Sequence, residues 1–254
     1  VKAGALTTAS LGSEVSLVNN DTLKINNDKT RVKDGDNYYT LVTPTFKDNY
    51  GHAMTLTADD FDTYFDFSNI DKNTDNVKGL SKSADNEQDV NLKLFKEDAA
   101  GNVSVATTTD AVKYIGISAK ILDTVDKSLK DKALDATRTI RSISVPLTGT
   151  VDGKKITYAT LRAVVKPDRQ AATLKPTWNQ TTANIIVGGK SLIASTLYDQ
   201  YGQKIEAADL TKHIYADVDN TVAGFEYGGI VGKKAGTVTA KLYYDLIENG
   251  KIDD

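Results

Sequence analysis

The chain has no cysteine, which excludes disulfides, thiolate-bound zinc and a cysteine nucleophile while leaving the redox compartment open. Histidine is nearly absent too: His52 and His213 are the only imidazoles in 254 residues. A hydrolytic triad therefore has just two bases to draw on. Aromatics make up 7%, with Trp178 the single tryptophan, too few to line a long sugar-binding cleft. No apolar run approaches the roughly 18 residues that cross a bilayer. Neither an initiator Met nor a signal peptide stands at Val1, so we read the chain as a mature product or an excised piece. Charge of one sign is lacking as well. The 31 basic and 34 acidic residues nearly cancel, to −3, and are scattered, which excludes a nucleic-acid footprint.

What the sequence does contain is a repeat. Phe46-Lys47-Asp48-Asn49-Tyr50-Gly51 returns 151 residues later as Leu197-Tyr198-Asp199-Gln200-Tyr201-Gly202. Each copy follows alternating polar and apolar residues and precedes a polar segment, then renewed aromatic alternation: Asp60-Phe61 and Tyr64-Phe65-Asp66-Phe67 after the first, Asp209-Leu210 and His213-Ile214-Tyr215 after the second. Further on, Val90–Phe95 with Ala99-Ala100-Gly101-Asn102 matches Val238–Tyr243 with Glu248-Asn249-Gly250, a strand running into a tight turn in each case. A chain built from tandem related β-units spans, stacks or binds more readily than it catalyses.

Short strand patterns with Asn, Asp and Gly between them support this reading. Asp34-Gly35-Asp36-Asn37 and Asp152-Gly153 have the residues that tight turns with positive φ demand. Thr139–Val145 reads as a strand ended by Pro146, and Ile156–Val165 as its partner. Gly188-Gly189 reads as a turn. The one helical periodicity covers 121–134, where Ile121, Val125 and Leu129 recur every four residues; a strand broken by a polar hairpin is the rival reading. Segment 68–89 is polar and reads as a long surface excursion.

The run Gly229-Ile230-Val231-Gly232-Lys233-Lys234-Ala235-Gly236-Thr237-Val238-Thr239-Ala240 resembles the closing signature of bacterial Ig-like group 2 modules. Val165–Asp168, then Leu174-Lys175-Pro176 and Tyr198-Asp199-Gln200-Tyr201-Gly202, is similar to module junctions in Bacillus-type surface-layer (S-layer) proteins. The likeness covers 169–254 well and 13–105 more loosely; 106–145 has no counterpart in the simple module. It implies an all-β chain of tandem Ig-like β-sandwich domains: residues 1–12 as the tail of a preceding module or linker, 13–168 as a sandwich enlarged by an insertion near 106–145 that carries the helix candidate, and 169–254 as a second sandwich. Lys166–Arg169 closes the first unit, and Pro167–Pro176 is a short stiff connector. Gly232 and Gly236 are expected at positive φ, and Tyr50 and Tyr201 are expected to lay their rings over the core edge.

No nucleophile elbow, Walker, Rossmann or zinc-helix motif occurs, and we expect no enzyme. For metals, Asp71, Asn73 and Asp75 alternate as calcium-loop oxygens do, but Asn76 stands where an EF-hand has Gly and Lys82 where it has Glu. A looser Ca2+ site could use these oxygens or the acidic turns Asp34/Asp36, Asp59/Asp60/Asp62 and Asp217/Asp219; solvated loops are the competing reading. Paired glycosidase carboxylates would need an aromatic cleft. Three Asn-x-Ser/Thr matches, at Asn20, Asn102 and Asn179, are what chance supplies in so Asn- and Thr-rich a chain. The functional expectation is a secreted structural protein of the bacterial cell surface, assembling with copies of itself, with wall anchoring outside this chain. The alternatives are an adhesin for a host or carbohydrate ligand, or accessory modules of a secreted hydrolase.

Overall fold

The computed structural model describes residues 4–25, 29–65, 89–121, 134–176, 184–206, 214–226 and 228–244. They form an all-β chain with one short helix, divided into two compact units. The first comprises Val1–Thr22 and Asn27–Arg169, the second Leu23–Asn26 and Gln170–Asp254.

The first unit runs β1 (Leu6–Ser10), β2 (Val15–Val18), β3 (Arg31–Asp34), β4 (Asn37–Val42), β5 (Thr45–Asp48), β6 (Ala53–Met54), α1 (Ala58–Phe65), β7 (Asp89–Glu97), β8 (Val103–Val105), β9 (Tyr114–Lys120), β10 (Arg141–Val151) and β11 (Lys154–Lys166). Its sheets are ordered β3-β4-β9-β7-β8, β10-β11-β2 and β1-β5-β6. β2 lies parallel to the end of β11, while the other pairings are antiparallel. One apolar core joins them, with Phe46, Phe61 and Phe65 in edge and tilted contact at 5.3–5.8 Å between ring centroids. Two-residue turns set the hairpins as expected. Gly35 takes φ 61° between β3 and β4, and Asp152 and Gly153 take 48° and 75° between β10 and β11, the mirror-image turn that matches strand twist.

The sequence expectation missed α1, reading Phe61 and Tyr64–Phe67 as strand alternation. Thr57 and Asp60 form a reciprocal cap instead: Thr57 N–H donates to Asp60 Oδ2 (2.8 Å) and Asp60 N–H to Thr57 Oγ1 (3.2 Å). That satisfies two donors at the helix start. Phe61 and Phe65, one turn apart, are then both buried. Helix packing on β10 requires Gly149, where a Cβ would stand 2.0 Å from the Tyr64 carbonyl oxygen.

Several other expectations are corrected. The described part of the expected tail, residues 4–12, belongs to the first unit: β1 pairs with β5, and Leu6, Ala9 and Leu11 are buried. Within the expected insertion near 106–145, β9 lies between β4 and β7, with Ile115, Ile117 and Ala119 in the core. Pro146 does not end its strand. β10 continues to Val151, and it is an edge strand, where a missing N–H is tolerated. The 121–134 helix candidate falls, but for its end residues, outside the described residues.

The second unit runs β12 (Ala171–Pro176), β13 (Lys190–Leu192), β14 (Ser195–Asp199), β15 (Ile214–Asp217), β16 (Ala223–Glu226), β17 (Gly229–Gly232) and β18 (Lys241–Tyr244). Its sheets are β12-β14, β13-β17-β16 and β15-β18, all antiparallel. Its core falls into two smaller clusters, around Ile193, Ile214, Ala216 and Ile230 and around Ile25, Leu197 and Ile205. The expected connector therefore does not exist as one: Pro167 is fully buried in the first unit and Ala171–Pro176 is a strand of the second. Gly188 turns with φ 80° as expected, but neither Gly232 nor Gly236 has positive φ. Gly232 is required for closeness instead, since a Cβ there would meet the Ile186 carbonyl oxygen at 2.7 Å.

Candidate functional site

The repeated hexapeptides fold into the same object. In the first unit Asp48 N–H donates to the His52 carbonyl and Gly51 N–H to the Asp48 carbonyl, both at 3.0 Å. One carboxylate oxygen, Asp48 Oδ1, then accepts the N–H groups of Tyr50 and His52 at 2.8 Å each. In the second unit Asp199 and Gln203, and Gly202 and Asp199, bond identically at 3.0 Å. Asp199 Oδ1 accepts from Tyr201 (2.9 Å) and Gln203 (2.7 Å). Gly51 and Gly202 close the loops at φ 82° and 75°, where a β-carbon is costly.

The likeness reaches the incoming strands. β1 meets β5 through Leu6↔Asp48, Thr8↔Lys47 and Ala9↔Phe46; β12 meets β14 through Ala171↔Asp199, Thr173↔Tyr198 and Leu174↔Leu197. Both ladders slip by one residue at the same place, a bulge that bends the strand. The side-chain carbonyls at the next loop position also agree: Asn49 Oδ1 accepts from Ala5 N–H (3.2 Å) and Gln200 Oε1 from Gln170 N–H (2.9 Å). The repeat is thus a paired strand, bulge and capped loop, and it begins at β1.

The tight turn expected at Ala99-Ala100-Gly101-Asn102 is present, and it is a third copy of the loop, a likeness the sequence reading missed. Asp98 Oδ1 accepts from Ala100 (2.9 Å) and Asn102 (2.8 Å), Gly101 N–H returns to the Asp98 carbonyl, and Gly101 has φ 83°. The common signal is Asp-x-x-Gly, with no need of the tyrosine. Tyr50 shows the same thing, for it is 63% exposed and does not cover the core edge as expected, whereas Tyr201 is half-buried. The pairing of Val90–Phe95 with Val238–Tyr243 does not extend through the strands. β7 spans the first segment and β18 begins only at Lys241, while Glu248-Asn249-Gly250 lies outside the described residues.

Five turn carboxylates have their pKa lowered by the groups around them, Asp48 and Asp98 among them. At Asp48 burial pushes the pKa up, but the N–H groups of His52 and Tyr50 outweigh it and hold it below the ordinary value. Asp98 is lowered by the Asn102 amide and N–H, and Asp110 by the Thr107 N–H and the Lys96 ammonium. Asp135 is lowered by the Thr137 hydroxyl and N–H, and Asp219 by the Thr221 N–H and hydroxyl. They are therefore turn caps, each accepting from N–H or hydroxyl groups of its own turn.

Asp71, Asn73 and Asp75 lie outside the described residues, as do His213 and Trp178. Asp34 pairs with Lys93, Asp60 caps α1, and Asp219 caps Thr221. Among the described residues no three His, Cys, Asp or Glu side chains cluster. His52 is exposed, with Nδ1 3.3 Å from Asp48 Oδ2.

The most heavily built polar site is one the sequence reading passed over, at Asn19-Asn20-Asp21. Asn19 N–H donates to the Lys166 carbonyl at 3.0 Å, and Asn20 N–H, at φ 44°, to the Ala119 carbonyl at 2.8 Å. The buried Asn19 amide bonds both backbone groups of Ile121 (2.8 and 2.7 Å) and Asp168 Oδ1 (2.6 Å). The Asp21 carboxylate, 5% exposed, pairs with Arg31 and lies 3.4 Å from Arg169 Nε; those side chains are 5% and 3% exposed. Arg31 also stacks over Tyr38 at 4.4 Å. This hub ties the end of β2 to β3, β4, β9 and the exit of β11, so it is a structural joint of the first unit. Two buried polar residues, Asn19 and Asp21, flanking an exposed Asn20 leave little sequence signal, because Ile121, Asp168 and Arg169 come from distant segments.

A surface hollow of about 300 Å3 opens between Thr43–Pro44, Met54–Leu56, Glu97 and Ala111–Lys113, with Phe46 beneath. Phe46, Leu56 and Val112 are buried in its floor, while Glu97 and Lys113 stand exposed at its rim. The Tyr114 hydroxyl donates to Glu97 Oε2, which raises the tyrosine pKa.

No family model matches this chain, and no curated protein matches it. Among the described residues no helix is long and apolar enough to cross a membrane.

Proposed function

We propose that this chain is a structural component of a bacterial cell-surface layer, secreted and self-assembling through Ig-like β-sandwich modules. The observation that carries the reading is the duplicated strand pair with its bulge and Asp-capped loop, present in both units at the same register. Repetition of one rigid unit suits a protein whose product is shape. Ionisable groups support the same view, since the loop carboxylates cap backbone N–H groups instead of converging in a cleft. Many small polar contacts between copies add up through multivalency.

Electron microscopy of the concentrated protein tests the reading: ordered sheets or filaments are expected, and dispersed single particles at every concentration contradict it. A glycan array separates the adhesin alternative, for which saturable binding by the isolated chain would speak. Calcium enters through Asp71, Asn73 and Asp75. If they bind it, millimolar Ca2+ raises the melting temperature by mass action, and an unchanged melt removes the ion from the account.

A further inference from the structure

The hairpin of β10 and β11 outruns the core it belongs to. Ile143, Val145 and Leu147 on β10 and Leu161, Ala163 and Val165 on β11 are buried on one face. The same face continues past Gly149, where α1 ends its cover, to Val151 and Ile156, which are 42% and 38% exposed. All eight residues from Thr150 to Thr157 are exposed. Because β2 pairs with β11 only from Ala163 to Lys166, the outer edge of β11 before that has no partner strand among the described residues. The result is a projecting β-ribbon with an apolar face, tipped by Asp152, Lys154 and Lys155.

We propose that this arm docks into the 300 Å3 hollow of a second copy of the chain. The inference rests on the self-assembly reading and names the surfaces it would use. The two features match in chemistry. Val151 and Ile156 meet the floor of Phe46, Leu56 and Val112, Lys154, which pairs with Val151 and shares its face, stands opposite Glu97, and Asp152 faces Lys113. The hollow has room for one or two branched side chains, and the contact is small by the standard of stable dimers, which bury about 1,600 Å2. It therefore suits an assembly in which each contact is weak. The arm and the hollow are different patches, so the interface is heterologous and passes from copy to copy; unless the rotation closes, it grows open arrays. Lysines at the tip also discourage arm-to-arm pairing, as edge lysines do elsewhere.

Sedimentation velocity on the full chain tests this by complementation. Wild type should grow in mass with concentration. An arm variant (Val151→Asp with Ile156→Asp) and a hollow variant (Glu97→Lys) should each associate about tenfold more weakly or not at all. All three positions are exposed, and circular dichroism confirms that the fold is kept. Mixed, the two variants should form a one-to-one pair that grows no further, because one keeps its hollow and the other its arm. Adding Lys154→Glu to the Glu97→Lys chain should restore growth. Growth of both variants like wild type, or a mixture that stays monomeric while wild type associates, overturns the arm-and-hollow contact but leaves self-assembly standing. A wild type that never associates overturns both.

Discussion

The loops at Asp48 and Asp199 have the same backbone hydrogen bonds, the same positive-φ glycine and the same bulged partner strand, yet they sit in different surroundings. Asp199 is 2% exposed and Tyr201 half-buried, while Tyr50 beside Asp48 stands 63% in solvent. The loop is thus specified locally, by one carboxylate that accepts two N–H groups and one residue free to take φ near 80°. What packs over it is left to the rest of each unit. The cores differ in the same sense: one continuous apolar cluster with three phenylalanines in the first unit, two smaller ones in the second.

The sharpest way to separate local from long-range structure is at the Asn19–Asp21 hub. Asp21→Ala leaves two buried guanidinium groups without their shared carboxylate and should cost about 3–5 kcal/mol, read as a lower denaturant midpoint with protection lost across β3, β4 and β11. Phe61→Ala should cost a similar 3–5 kcal/mol through loss of buried area and the cavity it leaves. Hydrogen exchange should show the damage in first-unit amides.

Next come the loops themselves. Asp199→Ala removes a buried acceptor of two N–H groups and should cost about 1.5–3 kcal/mol, whereas Asp48→Ala and Asp98→Ala should destabilise in the same direction but less, because water replaces the lost acceptor. Equal losses at all three would mean that burial does not matter and would break the comparison. Gly51→Ala and Gly202→Ala should cost alike, about 1–2 kcal/mol, since neither site has an atom within 4 Å of an added Cβ and only the backbone conformation is strained.

The smallest effect is on pH. The carboxyls of Asp48, Asp98, Asp110, Asp135 and Asp219 are all lowered in the folded chain. Their contribution is complete above the unfolded carboxyl value of about 3.9 and is lost as pH falls through the lower folded values. Acid unfolding should become shallower in Asp98→Asn, and an unchanged acid limb would count against the capping role.

Much of this was legible in the sequence where one or two residues decide the outcome. Asp152-Gly153 and Asp34-Gly35 are of that kind, as is the repeat of Asp48 and Asp199. The turn at Gly101 was legible, but its kinship to the other two loops was not, because Ala99 and Ala100 stand where they have Asn49-Tyr50 and Gln200-Tyr201. Helix α1 was hidden by Phe61, Tyr64 and Phe65, whose spacing of three and four residues is helical but whose neighbours look like strand alternation. The Thr57–Asp60 cap was the signal that would have found it. β9 and the hub could not be found this way, because a place in the sheet order, and buried contacts such as Asn19 with Ile121 and Asp21 with Arg169, depend on segments far along the chain.

The central claim is that this chain works through rigid shape and contact between copies. Static light scattering across a wide range of protein concentration tests it most directly. The account predicts an apparent mass that climbs steadily beyond that of one chain, and a mass that stays at one chain throughout would contradict it.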